Sequence, residues 1–292
     1  TDATGASLTV SGLTSLDSVD DSAITLDGTV TLGTLTVDGG AVSDTEADGV
    51  ELSGTSSASS LSLATTTGGI TDETGASLTV TNNASFDSVD DSAITLDGAL
   101  SLGSVTFDGG DTTIVESDGI NVAGTNEASD LVLVAPGDAV SDSITVDSKI
   151  TAKSANLYAA GSVTVGSSAE LIMSEETGLW FSTNYDNGAV TGVYTSSGTI
   201  SISQSSTIVG GLIIAEYGKP LLNINTKGRI TTASADQVAD HFNALEPSLE
   251  VADQWDARDA GALQASVGLG EITLDAGVVE ADIEIVEEED EN

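Results

Sequence analysis

The chain contains no cysteine, so neither a disulfide nor a thiolate metal site can form. That absence is neutral about compartment. Cations are almost as scarce. Six basic residues stand against 47 acidic ones, a formal charge of −41. The six are Lys149, Lys153, Lys219, Lys227, Arg229 and Arg258, so residues 1–148 carry no side-chain cation. Phosphate recognition needs Lys and Arg, which excludes nucleic acid and anionic membrane as partners. Such a surface instead attracts divalent cations and stays soluble where salt screens its self-repulsion. No run of about 18 apolar residues is present, so membrane insertion is not expected. No signal peptide is visible, and the start at Thr1 without Met reads as a mature or trimmed product. Aromatics are only 3 % of the chain, too few for a thick globular core.

What is abundant is Gly (32 residues) with Ala, Val, Ile, Thr and Ser, a palette suited to narrow layers of β-structure. Hydrophobic residues still make up 39 %, so the chain is no disordered polymer. Its sharpest feature is a repeat. Residues 1–40 recur at 71–110 with about 28 of 40 positions identical. The second halves also align, EADGVELSGTSSASSLSL (46–63) with ESDGINVAGTNEASDLVL (116–133). Within each copy, apolar residues alternate in short pairs: Leu8/Val10, Ile24/Leu26, Val30/Leu32, Leu35/Val37, Val50/Leu52, Leu61/Leu63. Period two marks strands with one buried face. Asp-Gly and Gly-Gly between the pairs mark turns. Strands six to eight residues apart give a coil of about 20 residues, so a 70-residue copy holds three to four rungs. A β-sandwich of hairpins is the rival, but few junctions carry the two-residue turns that hairpins need.

The expected fold is therefore all-β: an elongated β-solenoid with a C-terminal β-rich cap and one short helix. Residues 1–140 form two tandem repeats (1–70 and 71–140). Residues 141–182 continue the rungs. Residues 183–232 form a β-rich cap or interface region containing aromatics, in which Asn187-Gly188 signals a hairpin. Residues 233–292 hold a short helix at 234–245, terminal strands and an acidic tail, EEEDEN.

DSVDDSAITLDG occurs at 17–28 and again at 87–98. Asp17, Asp20, Asp21 and Asp27, with Asp87, Asp90, Asp91 and Asp97, offer hard oxygen ligands suited to Ca²⁺. The plainer reading is turn chemistry, since Asp hydrogen-bonds its own backbone. The spacing matches neither an EF-hand nor the Gly-rich nonapeptide of calcium β-rolls. No cofactor is required by any motif. No catalytic residue is expected either. Nucleophile, zinc-protease and P-loop signatures are absent, and His241 is the only histidine. A polysaccharide lyase needs a cation at the substrate's acidic carbon, and the regular region has none before Lys149. A Thr-rich face for ice or sugar is disfavoured, because Thr does not recur at one fixed rung position.

The stretches GALSLGSVTFDGG, TNEASDLVLVAPG and LLNINTKGRITT resemble repeat-rich fibre and appendage proteins of tailed phages, particularly marine ones. Bacterial surface adhesins and S-layer-like proteins share the texture. The resemblance implies a structural, extracellular subunit, on a virion or a cell surface, that assembles with itself as a homo-oligomer or filament. It also implies a virion or cell-surface scaffold and surface glycans as partners. The alternatives are a bacterial surface filament, S-layer or adhesin protein and, behind it, a carbohydrate-active β-helix enzyme. Self-association is expected through 177–194, 207–214 and 272–285, because small-residue cores bury little per chain.

Overall fold

A computed structural model describes residues 6–136 and 141–174 continuously. Beyond these it describes strand segments at 179–182, 185–186, 189–190, 200–202, 206–209, 212–215, 221–222, 230–232 and 283–284. The chain is a parallel β-solenoid of about 8 turns. The sandwich is excluded by the pairing: 24 strands join one sheet, and its ladders are parallel. Tyr185–Asp186 and Ala189–Val190 pair antiparallel, as the hairpin signal at 187–188 predicts. Among the described residues the only helical element is the 3-10 turn Val19–Asp21. The expected helix at 234–245 and the acidic tail lie outside the described residues.

Each turn has three sides. In one turn these are 50–52, 55–58 and 60–65; 70–72, 77–80 and 83–88 stack on them in register. Segments 94–96, 99–102 and 104–108 follow. The corners read out in burial. Val80 and Ala84 are both buried, as are Leu102 and Val105, so alternation skips a step where the strand bends. Inward positions form apolar ladders. One runs Val50, Ile70, Ile94, Leu131, Ala155 and Leu179, with Thr112 as its one polar member between Ile94 and Leu131. Another runs Leu61, Ala84, Val105, Val122, Val146 and Val165. Stacking like on like lets one β-branched or Leu side chain cover the next, which is how a chain poor in aromatics still fills its core. Phe86 and Phe107, adjacent in register, and Tyr158 and Phe181 further along are the fully buried aromatics among the described residues.

The same two ladders expose a property of the repeat. Leu61 and Leu131 are equivalent in the two copies, yet they stand on different sides of the solenoid. Ten strand segments separate them, because Thr55–Thr65, Ser77–Ser88 and Ala99–Asp108 each bend into two. At three segments per turn, one copy is three turns and one further side. The stack must therefore change phase once per copy. In the second copy 120–122 and 125–127 both sit over the single side 104–108, through Val122–Val105 and Glu127–Asp108. In the first, 50–52 and 55–58 sit over 34–38 in the same way. Segments 29–32 and 99–102 consequently have no strand stacked above them among the described residues. The parallel ladders continue past 182: 200–202, 207–209 and 212–215 stack on 163–165, 170–172 and 179–182.

Candidate functional site

The aspartate motif forms related turns in the two copies, and its chemistry is mostly conformational. Asp20 and Asp21 in the first copy, and Asp91 in the second, have positive φ (68°, 52° and 55°). Asp tolerates this region better than most non-glycine residues, because its short side chain bonds locally. In the first turn Asp21 N–H donates to Ser18 O at 3.2 Å, and in the second Asp91 N–H donates to Ser88 O at 3.0 Å. Each turn rests on a Gly-Gly pair in the rung above. Gly40 N–H donates to Ser22 O (3.2 Å) and Gly110 N–H to Ser92 O (2.9 Å). A Cβ at Gly40 or Gly110 would collide with the carbonyl oxygen of Asp21 or Asp91. This contact explains why VDDS and DGG recur together.

The eight predicted ligands do not converge on one point. Among the described residues no group of three or more His, Asp or Glu side chains is arranged to hold a metal ion. Asp90 is exposed, and its carboxylate accepts from Gly68 N–H (3.3 Å) and Ser88 Oγ (3.4 Å). Bonding to the Ser92 side chain, then to the Gly68 and Ser92 backbone and to Ser88, holds its pKa below the usual range. Asp97 and Asp27 are exposed at equivalent positions, Asp97 just after a strand and Asp27 within one. The Asp97 turn is held from below: Asp72 accepts Asp97 N–H (3.0 Å) and Gly98 N–H (2.7 Å). Burial pushes the Asp72 carboxyl up; these two bonds pull it back, and the Asp97 charge raises it again.

What the register does bring together is a carboxylate ladder. Asp87, Asp108 and Glu127 are successive register partners on the outer surface, about 4.8 Å apart by strand spacing. The Asp108 carboxyl is raised by partial burial first, then by the charges of Asp87, Glu127 and Asp91. In the first copy the ladder is Asp17, Asp38 and Ser57, and there Ser57 Oγ donates to Asp38 at 2.6 Å. Asp38, Asp108 and Glu127 escaped the motif-based reading. Their signal is spacing, since 87, 108 and 127 are one rung apart. Register also corrects the reading of threonine. Thr71, Thr95 and Thr113 do fall at one rung position, but with a single such Thr on each strand.

The least expected residues lie inside. Where the stack changes phase, backbone N–H groups lose their ladder partners, and a buried N–H cannot be left unpaired cheaply. Side chains take over. Glu46 Oε2 accepts from Leu32 N–H at 3.0 Å, and Glu116 Oε1 accepts from Leu102 N–H. Ser56 Oγ accepts from Val37 N–H (3.2 Å), and Asn126 Oδ1 accepts from Phe107 N–H (2.9 Å). Asn126 also donates to the carbonyls of Ala123 and Lys149, both at 3.0 Å. Glu46 and Glu116 are 0 % and 1 % exposed, and Asp44 beside Glu46 is 1 % exposed. Burial pushes Glu46 up to about 8, helped by Asp44 and by the Asp48 charge. Burial pushes Glu116 up to about 7, with a smaller contribution from Asp118. Both bonds to backbone act in the opposite direction and lose.

Of the expected interface segments, Trp180 and Ile213 are register neighbours on 179–182 and 212–215. Much of 177–194 and of 272–285 lies outside the described residues. Comparison with known families, with curated proteins and with solved structures finds no match.

Proposed function

We propose that the chain is a structural subunit of an extracellular assembly, a virion fibre or appendage, that acts by stacking and self-association rather than by catalysis. The observation that carries this reading is the parallel stack that runs from Ser7–Asp17 to Ile230–Thr232, with inward ladders of buried side chains up to Phe181. Such a stack is a rod whose length is set by rung number, and repeating a 70-residue unit lengthens it without changing its cross-section. The resemblance of GALSLGSVTFDGG and LLNINTKGRITT to phage fibre proteins agrees with that use. The carboxylate ladder Asp87/Asp108/Glu127 is no three-ligand metal site, but Ca²⁺ is expected to gather along it as a counterion that relieves like-charge repulsion.

Electron microscopy of the native particle, with antibody labelling of the chain, tests the reading. Label on virion fibres supports it; label confined to a bacterial envelope replaces it with a surface filament or adhesin. Turnover of an acidic polysaccharide by the purified chain overturns the non-catalytic part. Self-association is tested by Trp180→Ala and Ile213→Asp. Both variants are expected to stay β-rich and to sediment as smaller species than the parent. If both assemble normally, the interface lies elsewhere.

A further inference from the structure

Glu46 and Glu116 occupy equivalent positions in the two copies, at the points where a column of strands stops. Each continues the inward parity of its strand, after Val42 and Asp44 in one case and Thr112 and Ile114 in the other. Each lends one carboxyl oxygen to the last orphaned amide of the segment below, Leu32 or Leu102. The other oxygen, Glu46 Oε1 or Glu116 Oε2, is buried without a hydrogen-bond donor. An ionised oxygen there would have lost its water and gained no donor, whereas a protonated carboxyl brings no charge to desolvate. The groups facing Glu46 are Asp44 and Asp48, and that facing Glu116 is Asp118. All are acidic. The segments packed against the two sites, 29–32 with 60–65 and 99–102 with 130–135, carry one charged residue, Asp130, which is exposed.

We propose that Glu46 and Glu116 are proton-operated latches. Protonated, they hold 29–32 and 99–102 into the stack; ionised, they loosen the two phase-change junctions. The first junction is a carboxyl pair: Asp44 faces Glu46, so removing the Glu46 proton sets two like charges in one buried site. The second is a lone carboxyl, because Ile114 stands where Asp44 does.

The direction of the pH effect follows from linkage. The unfolded chain loses these protons near the ordinary Glu value, about 4.5, and the folded chain keeps them to about 7 and about 8. Folding therefore takes up protons between those limits. Stability is fullest below about 4.5, falls as pH rises through the window, and levels off above the folded values. Each group lowers the folding equilibrium constant by up to tenfold per pH unit inside its window.

The test is urea unfolding of the full chain at intervals from pH 5.5 to 9, comparing the parent with Glu46→Gln, Glu116→Gln and the double variant. Gln keeps the acceptor for the amide and cannot ionise. The parent is expected to lose stability steadily up to about pH 8. Each single variant should lose part of the slope, and the double variant should be nearly flat from pH 6 to 9. Any contribution of His241 is present in all four chains and cancels. A flat parent profile, or a double variant that keeps the parent's slope, overturns the proposal. If the Gln variants do not fold, infrared titration of the parent decides. A protonated-carboxyl band that persists at pH 6.5 and disappears by pH 9 supports the latch, and no such band at pH 6.5 overturns it.

Discussion

Strands Ser7–Asp17 and Ser77–Ser88 begin with the same four residues, SLTV, yet they inhabit different environments. Leu8 is 38 % exposed and its counterpart Leu78 is 2 % exposed. Val10 is half-buried and Val80 fully buried; Leu16 is half-buried where Phe86 is fully buried. Nothing local accounts for this. Ser77–Ser88 has Thr55–Thr65 on one side and Ala99–Asp108 on the other, whereas Ser7–Asp17 is paired on one side only among the described residues. The alternation in a solenoid strand encodes which residues face inward. How deeply they are buried is decided by the neighbouring rungs.

The largest break in this symmetry is expected from truncating the core. Phe86→Ala removes a fully buried ring that stacks on Phe107 and should cost about 3–5 kcal/mol. Leu16→Ala, at the equivalent but half-buried position, should cost about 1 kcal/mol. Urea midpoints of the two variants measure the ratio. Equal losses would mean that Ser7–Asp17 is covered in solution by a partner rung.

Much of this architecture is legible in the residues alone. The pairs Val30/Leu32, Leu35/Val37, Val50/Leu52 and Leu61/Leu63 all prove to be buried inward pairs, and a coil of about 20 residues is the observed rung. Parallel stacking is legible only by elimination, from the lack of hairpin turns, because within residues 7–182 the partner of each strand lies 17 to 24 residues away and leaves no local trace. The phase change is harder still. It follows only when strands are counted against sides, since ten segments do not divide by three. Glu46 and Glu116 are therefore hidden among 47 acidic residues. Their one signal is parity: each lies two residues beyond an inward position, where an apolar side chain would be expected. The Asp turn was legible as turn chemistry, but its Gly-Gly support in the rung above was not, because the contact joins Asp21 to Gly40 across a whole turn.

A second, smaller contrast concerns cations. The outer ladder ends in Glu127 in the second copy and in Ser57 in the first, so the second copy has more like charge to neutralise. Millimolar Ca²⁺ should raise the melting temperature more than NaCl of equal ionic strength. An ion bound only to the folded chain adds about 1.4 kcal/mol at ten times its Kd. Glu127→Ser makes the second ladder resemble the first and should remove most of the calcium-specific gain. Equal effects of the two salts on the parent would mean diffuse screening and leave the aspartates as turn residues.

The smallest expected effect separates two aspartates that look identical in sequence. Asp20 and Asp90 are equivalent, but only Asp20 has positive φ. Glycine occupies that region without the Cβ penalty, although it also gives the unfolded chain more freedom to lose. The two terms nearly offset, so Asp20→Gly should change stability by no more than about 0.5 kcal/mol, in the stabilising direction. Asp90→Gly has no strain to relieve. It removes a carboxylate that accepts from Gly68 N–H and Ser88 Oγ, so it should destabilise. Differential unfolding of the two variants, at a pH where both carboxylates are ionised, gives the signs directly. Opposite signs would show that the two copies hold one sequence in two backbone states, selected by what each turn touches. The Gly68 amide that holds Asp90 belongs to the rung below it. Matching signs would place the difference in side-chain bonding alone, and the turn would then be one structure repeated twice.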